Sequence, residues 1–184
     1  MKSRLSSLFL VLFASVSLFA CIDEDSTYQS ILLRDIEAID AYIAENPIDA
    51  VQEFHDDDAG FHIFWESVSN SGDTAQYLDT LKTDYIGMLL TNKVFDTSID
   101  SVAIANDIYN SNRNYVPIQF LQGNNSLIYG FQLGVSMMAE GDVATVIMPS
   151  AFAYGTGGSN DGSVPSNSPI IFKIDFVELK KATQ

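Results

Sequence analysis

Few side chains in this sequence are of the types that make or break bonds. The one cysteine, Cys21, closes an apolar run near the N-terminus. His55 precedes Asp56, Asp57 and Asp58, and a histidine beside three aspartates invites a metal-site reading. The spacing is not that of a calcium loop, whose ligands spread over about twelve positions and close with a glutamate. A solvated turn is expected there, with no metal and no cofactor. Gly155, Gly157 and Gly158 lack the Gly-Lys-Ser/Thr ending of a phosphate loop and the dinucleotide spacing after a strand. The chain also holds many aromatic side chains, among them Tyr85, Phe95 followed at once by Asp96, Phe131, Tyr154 and Phe172. Composition alone marks none of them as touching a ligand. Taken singly, Phe95 or Phe172 reads as core.

Taken together they do not. Four segments carry them in order: Thr83–Ser98, Val116–Gly134, Pro149–Gly155 and Val164–Leu179. In that order the segments resemble the FKBP-type peptidyl-prolyl cis-trans isomerases, over roughly Phe61 to Lys180. The resemblance implies a shallow apolar pocket that accepts a proline ring. Where the family usually has tryptophan on the pocket floor, at the start of its short helix, this chain has Phe131. The swap keeps a flat apolar base but loses the indole width and its N–H donor. Tyr85, Phe95, Leu127, Ile128 and Phe172 correspond to the walls, and Ile118 takes a position that is commonly aromatic. Asp96 corresponds to the aspartate that borders the pocket and bonds to the tyrosine matching Tyr85. Tyr154 matches the tyrosine whose hydroxyl reaches the bound peptide carbonyl, and the Ile128 N–H matches the other main anchor. Ser159 replaces a histidine often found in the following loop. Phe120 and Phe176 are assigned to plain core packing.

The elements that must hold these residues can be read from periodicity. Phe61, Ile63 and Trp65 alternate like one face of a strand, as do Leu81, Thr83, Tyr85, Gly87 and Leu89. Thr91-Asn92-Lys93 is a turn signal, and Val94-Phe95 opens the next strand. Ile118 and Phe120 mark another strand. A short helix holding Phe131, Val135 and Met138 follows; Gly130 and Gly134 weaken it in isolation and let it lie close against a sheet. Val143–Met148 and Ile170–Val177 complete the strands. Many short strands and one short helix predict an α+β domain with a twisted antiparallel sheet. The resemblance implies the same: a half-barrel sheet wrapping the helix. The stretch 99–115 is longer than the connection in small members of the family and is read as an inserted flap, with a helical turn or small hairpin around Val102, Ile104 and Ile108. Upstream, Leu32, Ile36, Ile39 and Ile43 recur at helical spacing, and Asn46-Pro47 ends the helix.

The chain begins with Lys2 and Arg4, then an apolar run from Leu8 to Ala20. That run is shorter than the ~20 residues a bilayer span needs, and it reads as a secretory signal. Leu18-Phe19-Ala20-Cys21 resembles a bacterial lipobox, which implies cleavage before Cys21 and acylation of its thiol. As the only cysteine, Cys21 has no intrachain partner. The acidic run after it, Ile22-Asp23-Glu24-Asp25, is read as a soluble tether, or as a surface-export signal of the Bacteroidetes kind. Loss of Lys2 and Arg4 leaves 7 basic residues against 24 acidic ones, a formal charge of −17. So acidic a surface repels nucleic acid and offers nothing to anionic headgroups.

The expected organisation is a signal peptide at 1–20, an acidic tether at 21–29, a helical extension at 30–59 and an isomerase domain at 60–181. The two resemblances imply an envelope lipoprotein, with outer-membrane placement on the periplasmic or surface face read from Ile22 after the cysteine, that isomerises Xaa-Pro segments of exported proteins as a monomer rather than a homodimer. Competing expectations are a proline-peptide binding or chaperone module with weak turnover, and a structural lipoprotein of an envelope machine, as in gliding bacteria.

Overall fold

The computed structural model describes residues 27–124 and 126–183. The expected signal peptide, Cys21 and the acidic run after it lie outside the described residues. In chain order the elements are α1 (Tyr28–Glu45), β1 (Gln52–Asp56), β2 (Phe61–Ser67), β3 (Thr80–Leu89), β4 (Val94–Thr97), α2 (Asp100–Ala105), β5 (Ile118–Leu121), α3 (Tyr129–Ser136), β6 (Val143–Met148) and β7 (Ile170–Lys180). Two single 3-10 turns, Ser150–Phe152 and Gly155–Gly157, lie between β6 and β7.

The strands form one antiparallel sheet in the order β1-β2-β6-β7-β3-β4, with β5 also paired to β3. β4 pairs with the Ile86–Met88 end of β3 and β5 with its Thr80–Thr83 end. The connection between β4 and β5 therefore leaves and rejoins the same sheet edge. β3 keeps the alternation its sequence predicts: Leu81, Thr83, Tyr85 and Gly87 are buried, and the residues between them are half-buried. The sheet is not closed into a barrel. It is an α+β half-barrel of the FKBP-like kind, with α3 packed on its concave face.

Two glycines set that packing distance. A Cβ on Gly134 would stand 2.9 Å from Val146 Cγ2, and one on Gly130 would stand 2.4 Å from Met148 Sδ. Only hydrogen at these positions lets α3 rest on β6. The core under α3 gathers Phe61, Ile63, Trp65, Phe131, Val135, Val146, Phe172 and Phe176.

The other face of the sheet is covered as well. Ile39 of α1 packs with Phe64, Ile147 and Ile171 in a second apolar cluster. β2 is thus buried on both faces from Phe61 to Trp65, where its alternating aromatics had suggested only one. α1 starts where Thr27 accepts a hydrogen bond from the Ser30 N–H and ends at Glu45, before Asn46-Pro47. Its buried stripe is Ile31, Asp35 and Ile39, whereas Leu32, Ile36 and Ile43 are half-buried flanks. The stripe is displaced because Asp35, a carboxylate, is bonded internally. It accepts from the Ser150 N–H (2.8 Å) and from the Ser150 hydroxyl (2.5 Å). β1 lies within the expected extension 30–59 and pairs with β2, so His55 and Asp56 are strand residues and only Asp57–Gly60 form a turn. The 99–115 stretch contains the helix α2, with Ala103 buried, and continues as an irregular loop.

Candidate functional site

A cavity of about 190 Å³ opens between the concave face of the sheet and the N-terminal end of α3. β3 supplies Tyr85, β4 Asp96, β5 Ile118 and β7 Phe172. The segment entering α3 supplies Ser126, Leu127 and Ile128, and α3 itself supplies Phe131. Tyr154, which follows the Ser150–Phe152 turn, completes the lining. Residues up to 87 positions apart in sequence are gathered by strand pairing, since Gly87 lies opposite both Asp96 on β4 and Phe172 on β7.

Phe131 is 3% exposed and forms the floor. Its ring meets Phe172 edge-on at 5.1 Å, and Tyr85 and Phe120 at 5.9 Å each. Edge-to-face contacts of this kind fix ring orientation as well as burying area. Phe120 thus supports the floor from behind, as core. Phe95 does not line the cavity. Its ring backs Phe172 at 5.8 Å and Tyr154 at 6.2 Å. A Cβ on Gly87 would fall within 2.9 Å of the Phe95 and Phe172 rings, so the glycine is what lets them meet over β3.

Ser159 also stays outside the cavity. Its hydroxyl donates to Asp161 (2.7 Å) and accepts from the Val164 N–H (2.8 Å). Asp161 accepts further from the Ser163 N–H and hydroxyl. These bonds hold the Asp161 carboxyl down to about 2, the largest contribution coming from Ser159. The position acts on the shape of the 155–168 loop rather than on a ligand.

The polar side of the cavity is a three-residue network. The Tyr85 hydroxyl donates to Asp96 Oδ2 at 2.5 Å. Arg113 donates from Nη1 to Asp96 Oδ1 and from Nη2 to the Tyr85 oxygen, the latter at 2.9 Å. Asp96 Oδ1 also accepts from the Thr97 N–H at 2.9 Å. Burial, then the bond to Asp96, pushes the Tyr85 hydroxyl well above its ordinary value, against the opposing pull of Arg113. Burial also raises Tyr154, with smaller contributions from the charges of Asp96 and Asp161. Both phenols therefore stay protonated donors at neutral pH. The Tyr154 hydroxyl makes no hydrogen bond to a protein group among the described residues.

Reading the sequence by segments missed Arg113, which lies in the insertion. A signal was available: it is the sole basic residue between Lys93 and Lys173 in a strongly acidic chain. The loop presents it by stacking Tyr109 on Tyr115 (5.3 Å between centroids, 13° between planes), and the Arg113 guanidinium sits 5.2 Å from the centre of the Tyr115 ring. Gln132 was missed too. Its side chain donates to the carbonyls of Asn124 (2.7 Å) and Leu127 (2.9 Å) and accepts from the Gly123 N–H (3.0 Å). It thereby fixes the segment that carries Leu127 and Ile128.

Comparison with known proteins agrees with this geometry. Residues 72–177 match the FKBP-type peptidyl-prolyl cis-trans isomerase family. The chain belongs to that family. A short-type peptidyl-prolyl cis-trans isomerase of Methanocaldococcus jannaschii is 46% identical over 77 residues, 42% of this chain and 48% of the relative. FK506-binding protein 2 of Dictyostelium discoideum is 31% identical over 101 residues, 55% of this chain and 65% of the relative. The chain thus spans less than two thirds of either relative. A peptidyl-prolyl cis-trans isomerase crystal structure from Pseudomonas syringae pv. tomato aligns over 85% of this chain and 98% of its own, with a TM-score of 0.60. At 19% identity that likeness speaks for the fold.

Proposed function

We propose that this chain catalyses rotation about the peptide bond preceding proline. The observation that carries the proposal is the cavity itself, an aromatic-floored recess with Tyr154 and a fixed Asp96 at its sides. The uncatalysed barrier is about 18–20 kcal/mol, enough to make the step slow in folding chains. No covalent bond breaks, so the reaction needs no nucleophile or proton relay. It needs a site that holds the twisted amide better than the planar one. The proline ring rests on Phe131, between Tyr85 and Phe172. Water that would hydrogen-bond the planar amide and favour its resonance is displaced by apolar walls. The Tyr154 hydroxyl and the Ile128 N–H hold the chain on either side of the rotating bond. Asp96 shapes and polarises the wall and does not act as a base, being engaged by Tyr85, Arg113 and Thr97. Phe95 and Ser159 support this arrangement indirectly.

The test is acceleration of cis-to-trans conversion in a short Xaa-Pro peptide, with loss of that acceleration when the cavity is altered. A second reading, a proline-peptide binder with weak turnover, is favoured by Ile118 and Phe131 standing where the family usually has larger rings. It predicts peptide binding at the cavity without rate enhancement.

For cellular placement we propose an acylated envelope protein held by Cys21. Support comes from Lys2 and Arg4, the Leu8–Ala20 run and the lipobox-like Leu18–Cys21. One acyl chain holds only marginally and two or more hold firmly. Among the described residues no helix is long and apolar enough to cross a membrane, and in this reading attachment rests on the thiol. Its clients are Xaa-Pro segments of exported proteins. Cys21→Ser is expected to abolish incorporation of labelled palmitate in a bacterial host; undiminished labelling would overturn the anchor.

A further inference from the structure

The β1–β2 hairpin forms one edge of the sheet, and its register places His55 directly opposite His62. The two Nδ1 atoms face each other at 2.8 Å. His55 donates from its other nitrogen, Nε2, to Glu53 Oε2 at 3.0 Å. A carboxylate at that position fixes the His55 proton on Nε2 and leaves Nδ1 as a lone pair aimed at His62. Asp57 follows in the hairpin turn, and one donor atom each from His55, Asp57 and His62 lies within 4.8 Å of the others. Asp57 makes no hydrogen bond to a protein group among the described residues; the turn itself is closed by Asp56, which accepts from the Ala59 N–H at 3.0 Å.

His62 is 2% exposed, and its Nε2 has no hydrogen-bond partner. That nitrogen lies on the far side of the ring from His55, and it is Nδ1, facing His55 Nδ1, that an ion would use. We propose that His55, Asp57 and His62 form a binding site for a zinc-class divalent ion, with Glu53 as the carboxylate that orients His55. Two imidazoles and one carboxylate suit zinc and its neighbours rather than calcium or magnesium, which take oxygen ligands. At metal–nitrogen bonds of about 2.0–2.1 Å, tetrahedral donors stand about 3.3 Å apart, so the rings need separate by only about half an ångström. On binding, the His62 proton moves from Nδ1 to Nε2 and the ion takes both Nδ1 lone pairs. His55 and Asp57 are exposed, so the remaining coordination position faces solvent. The site joins the two strands of the hairpin next to its turn.

The test is calorimetric titration of the chelator-stripped full chain with zinc alone, followed by cobalt as a spectroscopic stand-in. Wild-type protein is expected to take up one zinc at this site with micromolar affinity or tighter, and its cobalt form to show the visible bands of a nitrogen-and-oxygen site. His55→Ala and Asp57→Asn alter exposed residues and leave the core intact, as circular dichroism checks. Each is expected to weaken that binding at least tenfold, Glu53→Gln less so, and Asp58→Asn not at all. Absence of saturable binding overturns the proposal. So does affinity unchanged in both His55→Ala and Asp57→Asn, which would place the zinc elsewhere, for instance on the Cys21 thiol.

Discussion

Asp96 is held by three donors, from Tyr85, Arg113 and Thr97, and still lines the cavity. A carboxylate so engaged is a fixed charge rather than a mobile base. Asp96→Ala is therefore expected to lower kcat/KM without unfolding the chain, as peptide kinetics and circular dichroism together would show. Arg113→Ala frees the same carboxylate. Its ion pair with Asp96 is about one third exposed on both sides, where such pairs are worth only about 0–1 kcal/mol. Its Tm should barely move while kcat/KM falls several-fold; an unchanged rate would show that the network is not part of the site. In the proposed mechanism Tyr154→Phe removes one hydrogen bond to the ligand, about 0.5–1.5 kcal/mol, or roughly two- to tenfold in kcat/KM. Phe131 is buried, so Phe131→Ala costs about 3–5 kcal/mol in stability as well, and Phe131→Leu is the cleaner probe of the floor. The lining aromatics were legible because the segments that carry them resemble the family in order; singly they read as core. Arg113 was not, because its partner lies 17 positions away on another element and no local pattern links them.

Among the elements, α1 shows how far periodicity carries. Helical spacing identified the helix and its end, yet the buried stripe runs through Asp35, which a hydrophobic pattern scores as solvent-facing. Its partner, Ser150, is 115 positions away, at the turn that leads to Tyr154. Asp35→Ala strands the buried Ser150 N–H and is expected to cost about 1–3 kcal/mol, read as a drop in the denaturation midpoint at unchanged slope. The glycines of α3 were legible as close-packing positions, and Gly134→Ala, facing Val146 at 2.9 Å, should destabilise by about 1–3 kcal/mol. The 155–168 loop carries a pH signature. Asp161 is held at about 2 in the folded chain, below the ordinary 3.8. A lowered carboxylate contributes stability above its unfolded value and loses it as pH falls through the folded one. The loop is thus expected to loosen between about pH 4 and 2, and Asp161→Asn to remove that acid-dependent step in amide exchange.

For the molecule as a whole, the half-barrel around one helix was legible because strand alternation, glycine placement and segment order all point the same way. Burial of β2 on both faces was not, because it depends on α1 folding back over the sheet, a tertiary choice its amphipathic face permits but does not specify. The raised Tyr85 bears on the alkaline limit of the fold. The unfolded chain gives up that phenol proton near pH 10 while the folded chain keeps it, so stability falls as pH rises above about 10; Tm should decline there, and less so in Tyr85→Phe. The most direct test of the central claim is the rate of cis-to-trans conversion of short Xaa-Pro peptides with purified residues 22–184, alongside folded Phe131→Leu and Asp96→Ala. Clear acceleration by the parent, reduced in both variants, is the predicted result. No acceleration by well-folded parent protein, across several residues before proline, would contradict the account.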